Sequence, residues 1–367
     1  MLEIPQDILD IVNFYKGKYR DAKWAEAGHN GPYGIKENVY RNTSHWLMSF
    51  GTMYRITKEK VYLQIVDRFA DTLHKAVKNT KRGAVETMDG QLNLVAVAWI
   101  VEGLLEAAEL LGRNEYLMDA EYIWKAQEYD TKLHIWNMVN DEGIVLGKDV
   151  AFNHNLWFAM VGIKIYEASG KFEYREIVED FLKHCGSHFM VYRDGRISHF
   201  IVNSGNWKFD LINRIRKICI EISKAGTPWN KSNQAEYERA YHLFSIYAFA
   251  QIYELMPELK IFSSPKFTKA KEYALDVTNF TEFDEKSNYA YGYNSPYYEF
   301  PLIEYVFTNN EKKVKRHMDE LGMKQNAYRK TLLGKTVKLD DPITLDARIY
   351  ELLQLFYMRC KENEKDE

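Results

Sequence analysis

Apolar residues recur at helical spacing along almost the whole chain. The clearest stretch is Leu92 to Leu111, which is apolar nearly all round and therefore predicts a helix buried on most of its faces. A short polar turn at Gly112 and an amphipathic segment from Leu117 to Tyr129 follow it. The same order returns along the chain, and its apolar members predict helices near 45–55, 92–111, 156–168, 241–255, 297–307 and 345–358.

This repetition predicts an all-α protein in which amphipathic outer helices surround apolar inner helices. Such an arrangement is an (α/α)6-type toroid, or incomplete barrel, of helical hairpins; the alternative is a generic helical bundle. No linker rich in Pro, Gly or Ser divides the chain, so we expect a single domain over 1–367. One segment departs from the helical pattern. Asp194-Gly195 lies between alternating residues and predicts a small β-hairpin at 191–202.

Composition excludes several classes of function. The chain has 49 Lys and Arg against 52 Asp and Glu, a formal charge of −3, which excludes a bulk electrostatic grip on nucleic acid or an anionic membrane. Three scattered cysteines, Cys185, Cys219 and Cys360, suggest neither a disulfide framework nor a zinc site. The first residues lack the basic start and apolar run of a signal peptide, and no stretch is apolar enough to span a membrane. We therefore expect a cytoplasmic protein, with a secreted mature form as the alternative.

Polar side chains stand at the starts of the apolar helices, which in a toroid surround one end of the central cavity. Each of them alone has an ordinary explanation as a helix cap or a core residue. Because amides, imidazoles, phenols and one guanidinium recur in separate segments, we predict that they line one site. These residues are Asn42, His45, Asp89, Gln91, Asn153, His154, Asn155, Arg239, Tyr241, His242, Asn294, Tyr297, Tyr298 and Glu299.

The segment Asn153-His154-Asn155, with Tyr241-His242 downstream, resembles the Asn-His…Tyr-His pattern of the alginate lyases of polysaccharide lyase family five. The resemblance covers roughly 149–255. It implies an (α/α) toroid in which Asn153 and His154 hold a uronate carboxylate, Arg239 assists and Tyr241 moves protons. In this chain the arginine stands two residues before the tyrosine, closer than in those lyases.

A second set of segments is similar to the unsaturated glucuronyl hydrolases of glycoside hydrolase families 88 and 105. Asp89 stands where those enzymes have a substrate-binding aspartate, and the segment from Arg193 to His199 is similar to their hairpin, which implies that His199 binds substrate. The segment 237–240 is similar to their Trp-Ala-Arg-Gly. Their acidic aspartate has no exact counterpart here, because Asp149 is displaced by two positions.

The chemistry of the candidate residues favours a lyase. Elimination of a 4-linked uronide needs groups that neutralise the carboxylate, a base for the C5 proton and an acid for the leaving O4. A hydrolase needs instead a carboxylic acid with a raised pKa. The predicted site is rich in Asn, His, Tyr and Arg and poor in paired carboxylates. Tyr241 is the first candidate for the proton carrier, with pKa lowered by Arg239, and His242 and Tyr298 are its alternatives.

We therefore predict a polysaccharide lyase that cleaves a uronate-containing polysaccharide or oligosaccharide by β-elimination, without a cofactor or metal. His184 and His188 are four residues apart on a predicted helix, but a third ligand is not evident, so we interpret them as surface residues. The alternatives are an unsaturated glucuronyl hydrolase, a sugar epimerase related to the N-acylglucosamine 2-epimerases, and a non-catalytic carbohydrate-binding toroid. We expect no nucleic-acid or membrane partner.

Overall fold

The computed structural model describes residues 2–88, 92–222, 232–281, 289–334 and 341–366. Asp89 and Gln91, two of the predicted site residues, lie outside these ranges. The helices are α1 (Gln6–Lys18), α2 (Tyr40–Thr57), α3 (Lys60–Lys78), α4 (Leu94–Leu111), α5 (Asn114–Lys125), α6 (Phe152–Ser169), α7 (Phe172–His188), α8 (Trp207–Ile222), α9 (Ser232–Leu255), α10 (Pro265–Leu275), α11 (Thr278–Thr281), α12 (Pro296–Thr308), α13 (Glu311–Gly334), α14 (Pro342–Ala347) and α15 (Tyr350–Asp366).

The inner helices form a closed ring. Helix α2 packs on α4, α4 on α6, α6 on α9, α9 on α12, α12 on α15, and α15 returns to α2. Outside this ring, α3 packs on α2 and α4, α5 on α4 and α6, and α13 on α12. The predicted all-α toroid is therefore confirmed, and each predicted apolar helix corresponds to one member of the ring.

Sequence explains the two layers directly. Helix α4 is buried nearly all round, is capped by the Asn93 side chain, which accepts from the Ala96 amide at 2.8 Å, and ends at Gly112 in the left-handed region. Helix α3 is an outer helix and buries only one face, which includes Tyr62, Phe69 and Leu73. Truncating such a buried residue, for example Leu73→Ala, is expected to cost about 2–5 kcal/mol.

One glycine sets the close approach of α2 and α4. A Cβ atom added at Gly103 would lie 2.3 Å from Ser44 Oγ and 3.1 Å from Ser44 Cβ. The Ser44 hydroxyl donates in turn to the carbonyl of Trp99. A larger residue at 103 would push the two helices apart at the level of the ring where the candidate site lies.

The β-structure differs from the prediction. An antiparallel sheet of β1 (Tyr129–Asp130), β2 (Ile135–Val139) and β3 (Val145–Lys148), in the order β1-β2-β3, lies between α5 and α6, where we expected no strands. The hairpin predicted at 191–202 is reduced to a tight turn closed by a single bridge between Val191 and Ile197. The chain then leaves its partner because Phe200 pairs with Ala151 instead. In the described part of the chain, no helix is long and apolar enough to cross a membrane.

Candidate active site

The N-terminal parts of the inner helices meet at one end of the ring, which we call the mouth. The ring of His45 on α2 lies 5.2 Å from Trp99 on α4 and stacks at 4.5 Å on Tyr350, the first residue of α15. On the other side, Phe244 of α9 lies 6.4 Å from Trp99 and stacks on Trp157 of α6 at 4.5 Å. These contacts place aromatic side chains from five inner helices around one region.

His154 and Asp149 form a hydrogen-bonded pair at the start of α6. His154 Nδ1 donates to the two carboxylate oxygens of Asp149, at 3.0 and 2.9 Å. The carboxylate also accepts from the backbone amides of Leu94 and Ala151, at 3.0 and 3.2 Å. Among the described residues, Nε2 of His154 makes no hydrogen bond, and the ring is partly exposed. Asp149 therefore fixes the tautomer of His154 and presents Nε2 outward.

Asp149 is ionised although it is buried. Burial alone raises the pKa of a carboxyl group, but the interaction with His154 and the two backbone amides outweigh it and hold the pKa of Asp149 below its ordinary value. An ionised carboxylate with every oxygen engaged cannot act as a general acid. It can stabilise an imidazolium, as the aspartate of a catalytic triad does.

His199 and Tyr241 continue the site beside this pair. The His199 ring lies edge-on to His154 at 6.3 Å and against Tyr241 at 4.5 Å. The Tyr241 hydroxyl makes a 2.6 Å hydrogen bond with the hydroxyl of Tyr33, whose ring is 39% exposed. His154, His199, Tyr241 and Tyr33 thus form a continuous row of groups from α6 to the surface.

The protonation of this row differs from the sequence prediction. Burial, followed by the nearby Tyr293 and Tyr33, raises the pKa of Tyr241 well above its ordinary value, so the residue is a neutral phenol rather than a phenolate. The expected lowering by Arg239 is wrong. Burial lowers the pKa of His199 to about 3, so its imidazole is neutral as well. Tyr241 therefore carries its hydroxyl proton, whereas burial makes His199 a weak base that stays neutral.

The opposite wall of the mouth contains buried polar atoms without partners. Among the described residues, both ring nitrogens of His45, Nε1 of Trp99 and Nε of Arg41 have no hydrogen-bond partner, and in the facing row the same holds for Nδ1 of His199. Burial, followed by Arg41 and Arg348, lowers the pKa of His45 well below its ordinary range. A buried polar atom without a partner costs about 1–3 kcal/mol, which a bound hydroxyl or water would recover. These atoms are therefore candidate contacts for a polar ligand.

Two arginines flank His45, and they differ in what they still offer. Arg348 is saturated, since it donates to Glu299, to Glu351 and to the backbone carbonyl of Tyr293. Arg41 donates through Nη1 to Glu37 at 2.7 Å and to Asn30 at 3.1 Å, and its guanidinium lies 4.2 Å from the Trp99 ring. Arg41 thus keeps an unused donor, Nε, beside the aromatic wall.

Several predicted residues face away from the mouth. His242 lies on the other face of α9, where Nδ1 accepts from the Ile197 amide at 3.0 Å and Nε2 pairs with the Ala270 carbonyl at 3.1 Å. Both nitrogens are used, so His242 has no atom for a substrate. Arg239 donates to the carbonyl of Asn279 and lies about 200° around the helix from Tyr241, so Arg239 does not share the site of Tyr241.

Tyr297, Tyr298 and the amides are also structural. Tyr297 donates to Asp7 of α1, and the Tyr298 hydroxyl accepts from Arg329 of α13, so both point to the outer layer. Asn42 donates to the Glu26 carbonyl at 3.0 Å, and Asn155 links β2 to α6 through the Trp136 amide at 3.3 Å and the Asp149 carbonyl at 2.8 Å. The side chain of Asn294 accepts from Arg348, and Glu299 does the same.

Asn153 is a separate case. It is buried and both of its amide atoms lack a partner, but no ring or hydrogen bond joins it to His154 or His199. Adjacent residues of a helix point about 100° apart, which places Asn153 beside the mouth rather than in the row of His154.

Tyr33, Arg41, Trp99 and the role of Asp149 were not evident from the sequence. Tyr33 precedes the ring and reaches Tyr241 across 208 positions of sequence. A signal existed for two of the others, because Arg41 is a charged residue beside the predicted Asn42 and Asp149 stands five residues before His154.

The comparisons with known proteins show the fold and a distant relative. No family model matches the chain. It is 27% identical over 347 residues to archaeal glycosylation protein Q of Haloferax volcanii. The alignment covers 90% of this chain and 91% of the relative.

Solved structures of several sugar-processing enzymes have the same fold. A cellobiose 2-epimerase from Bacillus thermoamylovorans aligns with TM-score 0.61 at 12% identity, over 95% of this chain and 98% of its own. An unsaturated glucuronyl hydrolase from Streptococcus agalactiae aligns with TM-score 0.61 at 12% identity, over 97% of this chain and 93% of its own. A glycoside hydrolase family 76 mannosidase from Bacteroides thetaiotaomicron aligns with TM-score 0.56 at 11% identity, over 97% of this chain and 100% of its own. At these identities the likeness shows the toroid, and the resemblance to family-five lyases is not shown by it.

Proposed function

We propose that this protein is a glycan-processing enzyme that abstracts a proton from a sugar carbon next to a carboxylate, and that the reaction is β-elimination on a uronate-containing glycan. One observation carries the proposal: Asp149 fixes His154 with Nε2 free at an aromatic mouth, and the His199 ring lies between His154 and the Tyr241–Tyr33 hydroxyl pair. Sugar rings pack well on aromatic faces, and the unpartnered polar atoms of the mouth match hydroxyl groups. The toroidal sugar enzymes and the glycosylation relative support a glycan substrate.

In this mechanism His154 Nε2 takes the proton from C5. The electron pair forms the C4–C5 double bond and the C4–O4 bond breaks. Tyr241 gives its hydroxyl proton to the leaving O4 and recovers a proton from Tyr33, which is exposed to solvent. The ionised Asp149 stabilises the imidazolium formed on His154, so each proton has a donor and an acceptor.

The substrate carboxylate needs a cation or aligned dipoles. Arg41, and not Arg239, is our candidate, because it lies in the mouth with Nε unused. The starts of α2, α6 and α15 also face this region, and helix N-termini favour an anion. Glu37 neutralises part of the charge of Arg41, so we expect Arg41 to orient the carboxylate rather than to bind it alone.

Epimerisation is the second candidate, and a specific observation favours it. The Tyr241 hydroxyl carries a proton and lies beyond the His199 ring, which is 6.3 Å from His154. His154 can remove a proton from one face of a carbon while Tyr241 returns a proton to the other face and recovers one from Tyr33. The first step, proton abstraction by His154, is the same in both reactions. The two candidates differ in whether a C–O bond then breaks.

The unsaturated glucuronyl hydrolases of the same fold support hydrolysis of unsaturated uronides as a third candidate, although three carboxyl groups around the mouth are already engaged. There Asp149 is engaged by His154, Glu37 by Arg41, and Glu299 by Arg348. None of these carboxyl groups is a free acid facing the mouth. Asp89, which the resemblance to glucuronyl hydrolases singles out, lies outside the described ranges, so the experiment includes that reaction.

The experiment offers the protein a panel of alginate, glucuronan, heparosan, hyaluronan, pectin and neutral oligosaccharides in D2O. A rise in ultraviolet absorbance from unsaturated ends marks the lyase, deuterium incorporation at a sugar C–H without cleavage marks the epimerase, and loss of absorbance from pre-cut oligomers marks the hydrolase. His154→Ala should abolish the first two signals. Binding without any of these signals would overturn the proposal, as would full activity of His154→Ala.

A further inference from the structure

A cluster of imidazoles lies outside the mouth, on the outer helix α7. Asp180 and His184 are one turn apart on one face of α7, and His134 reaches them from the turn between β1 and β2. His134 Nδ1 lies 2.7 Å from Asp180 Oδ2, and His184 Nδ1 lies 3.4 Å from Asp180 Oδ1. One ligand atom from each of the three residues lies within 4.8 Å of the other two. Of these three residues the sequence pointed only to His184, and the sheet brings His134 to it.

The arrangement of the two imidazoles needs an explanation. The rings of His134 and His184 stack with centroids 3.5 Å apart and planes 11° apart. His134 Nδ1 contacts the Asp180 carboxylate, and His184 Nδ1 lies between that carboxylate, at 3.4 Å, and the backbone carbonyl of Asp180, at 2.9 Å. All three residues are partly buried. Two imidazoles and a carboxylate are a usual donor set for a divalent transition metal.

The turn that carries His134 is built in advance. His134 has a φ of 53°, in the left-handed region that few residues other than glycine and asparagine adopt. Its amide donates to the Asp130 carbonyl at 2.7 Å, while Asp130 Oδ1 accepts from the amides of Lys132 and Leu133, at 2.9 and 3.0 Å. These hydrogen bonds stabilise the left-handed backbone conformation of His134, and in that conformation its side chain contacts Asp180.

His188, the next histidine of α7, is not part of this cluster. It is 3% exposed, so its interpretation as a surface residue is wrong. Its Nδ1 pairs with the Val202 carbonyl at 3.1 Å. Burial lowers the pKa of His188, while the backbone hydrogen bonds to Val202 and Leu133 oppose that shift. His188 therefore packs beside the cluster as a structural residue.

We propose that His134, Asp180 and His184 bind a divalent transition cation of the zinc class. Zinc takes imidazole nitrogen at about 2.0–2.1 Å and carboxylate oxygen at about 2.0–2.2 Å, and the observed separations around Asp180 fit a common ion with small side-chain movements. Binding displaces any proton shared between Asp180 and the imidazoles. Tyr129 donates to Asp180 at 2.7 Å and keeps the carboxylate oriented as an outer partner.

Such a site would tie the sheet to α7, away from the residues of the proposed reaction. The sheet itself is attached to α6 through the Trp136 amide and Asn155. The cation therefore stabilises the fold and holds the β1–β2 turn. The proposal does not depend on the function proposed for the mouth.

The test uses the full-length protein, stripped with a chelator and titrated with Zn²⁺ and with Co²⁺. We expect one equivalent of Zn²⁺ to bind by calorimetry, the melting temperature to rise, and Co²⁺ to give d–d bands of a nitrogen–oxygen site. His184→Gln and His134→Asn should each weaken Zn²⁺ binding by more than about 10-fold, the loss seen even for outer partners of metal ligands. Asparagine tolerates the left-handed backbone at 134, so this variant keeps the turn.

His74→Gln is the matched control. His74 also pairs with a buried carboxylate, Asp119, but no second imidazole forms part of that pair. It should bind Zn²⁺ like the parent. Absence of stoichiometric Zn²⁺ binding by the parent protein would overturn the proposal, as would unchanged affinity in both His134→Asn and His184→Gln. If a variant fails to fold, the Co²⁺ spectrum of the parent still decides between nitrogen–oxygen ligands and none.

Discussion

Replacing Asp149 with asparagine removes the charge that orients His154 and keeps the shape of the side chain. Asp149 now accepts from His154 Nδ1 and from the amides of Leu94 and Ala151. In Asp149→Asn one oxygen becomes an amide nitrogen, which cannot accept. Either His154 or one of the two helix starts then loses its acceptor, and His154 loses the charge that stabilises its imidazolium.

The size of the effect follows from the geometry. The Asp149 oxygens lie 3.0 and 2.9 Å from Nδ1. At that separation two unit charges attract by about 5 kcal/mol at an effective dielectric constant of about 20, which is an upper bound. Because the backbone amides of Leu94 and Ala151 also hydrogen-bond to the carboxylate, we expect the His154 imidazolium to lose about half of this attraction. That corresponds to a rate about 100-fold lower, within the range for general base catalysis.

The assay is exchange of the sugar C–H with D2O, because this step is common to elimination and epimerisation. It is read together with ¹⁵N NMR of His154, which reports the tautomer, and with thermal unfolding. Asp119→Asn is the control, since Asp119 is equally buried and pairs with His74 and Lys78 far from the mouth. We expect the control to lose stability and keep its exchange rate.

An Asp149→Asn variant that folds, changes the tautomer of His154 and still exchanges at the parental rate would refute the assignment of His154 as base. A variant that loses exchange with no change at His154 would show that Asp149 acts through the start of α4 instead. Only a joint change of tautomer and rate supports the proposed pair.

Three further predictions concern the same mouth. Tyr241→Phe should fold normally and slow turnover by about 10²-fold or more, as expected for loss of a general acid. Tyr298→Phe should keep the parental turnover. Equal turnover in the two variants would exclude Tyr241 as the general acid. Arg41→Lys keeps the positive charge and loses the Nε donor, so the KM for an anionic glycan should rise while the KM for a neutral glycan stays unchanged. An equal change in both KM values would exclude carboxylate recognition by Arg41. In the folded protein the pKa of His199 is about 3, below its ordinary value of 6.5, so neutral His199 contributes stability above about pH 6.5 that is lost as pH falls. The free energy of unfolding that His199→Asn loses, measured by urea unfolding, should therefore shrink by about 1.4 kcal/mol per pH unit below 6.5. A loss that does not depend on pH would contradict the burial of that ring.

The sequence by itself determined the layers of the fold. Helix α4 has no polar face, so it had to be an inner helix, whereas α3 alternates at helical spacing and had to lie outside. The same patterns located the inner helices, and with them His45, His154 and Tyr241, although α9 begins at Ser232 and not at the predicted 241. His199 was named only through the resemblance to the glucuronyl hydrolases. The single-domain organisation and the cytoplasmic location stay predictions.

Tertiary structure alone decided which neighbouring residues face the mouth. His154 and Asn153, or Tyr241 and His242, are adjacent in sequence but diverge by about 100° on a helix, and periodicity does not say which of the two meets the next helix of the ring. Partners from distant segments were equally hidden. Tyr33 meets Tyr241, and His134 meets Asp180, only because the closed ring and the sheet bring them together, and a helical period carries no information about contacts beyond its own helix.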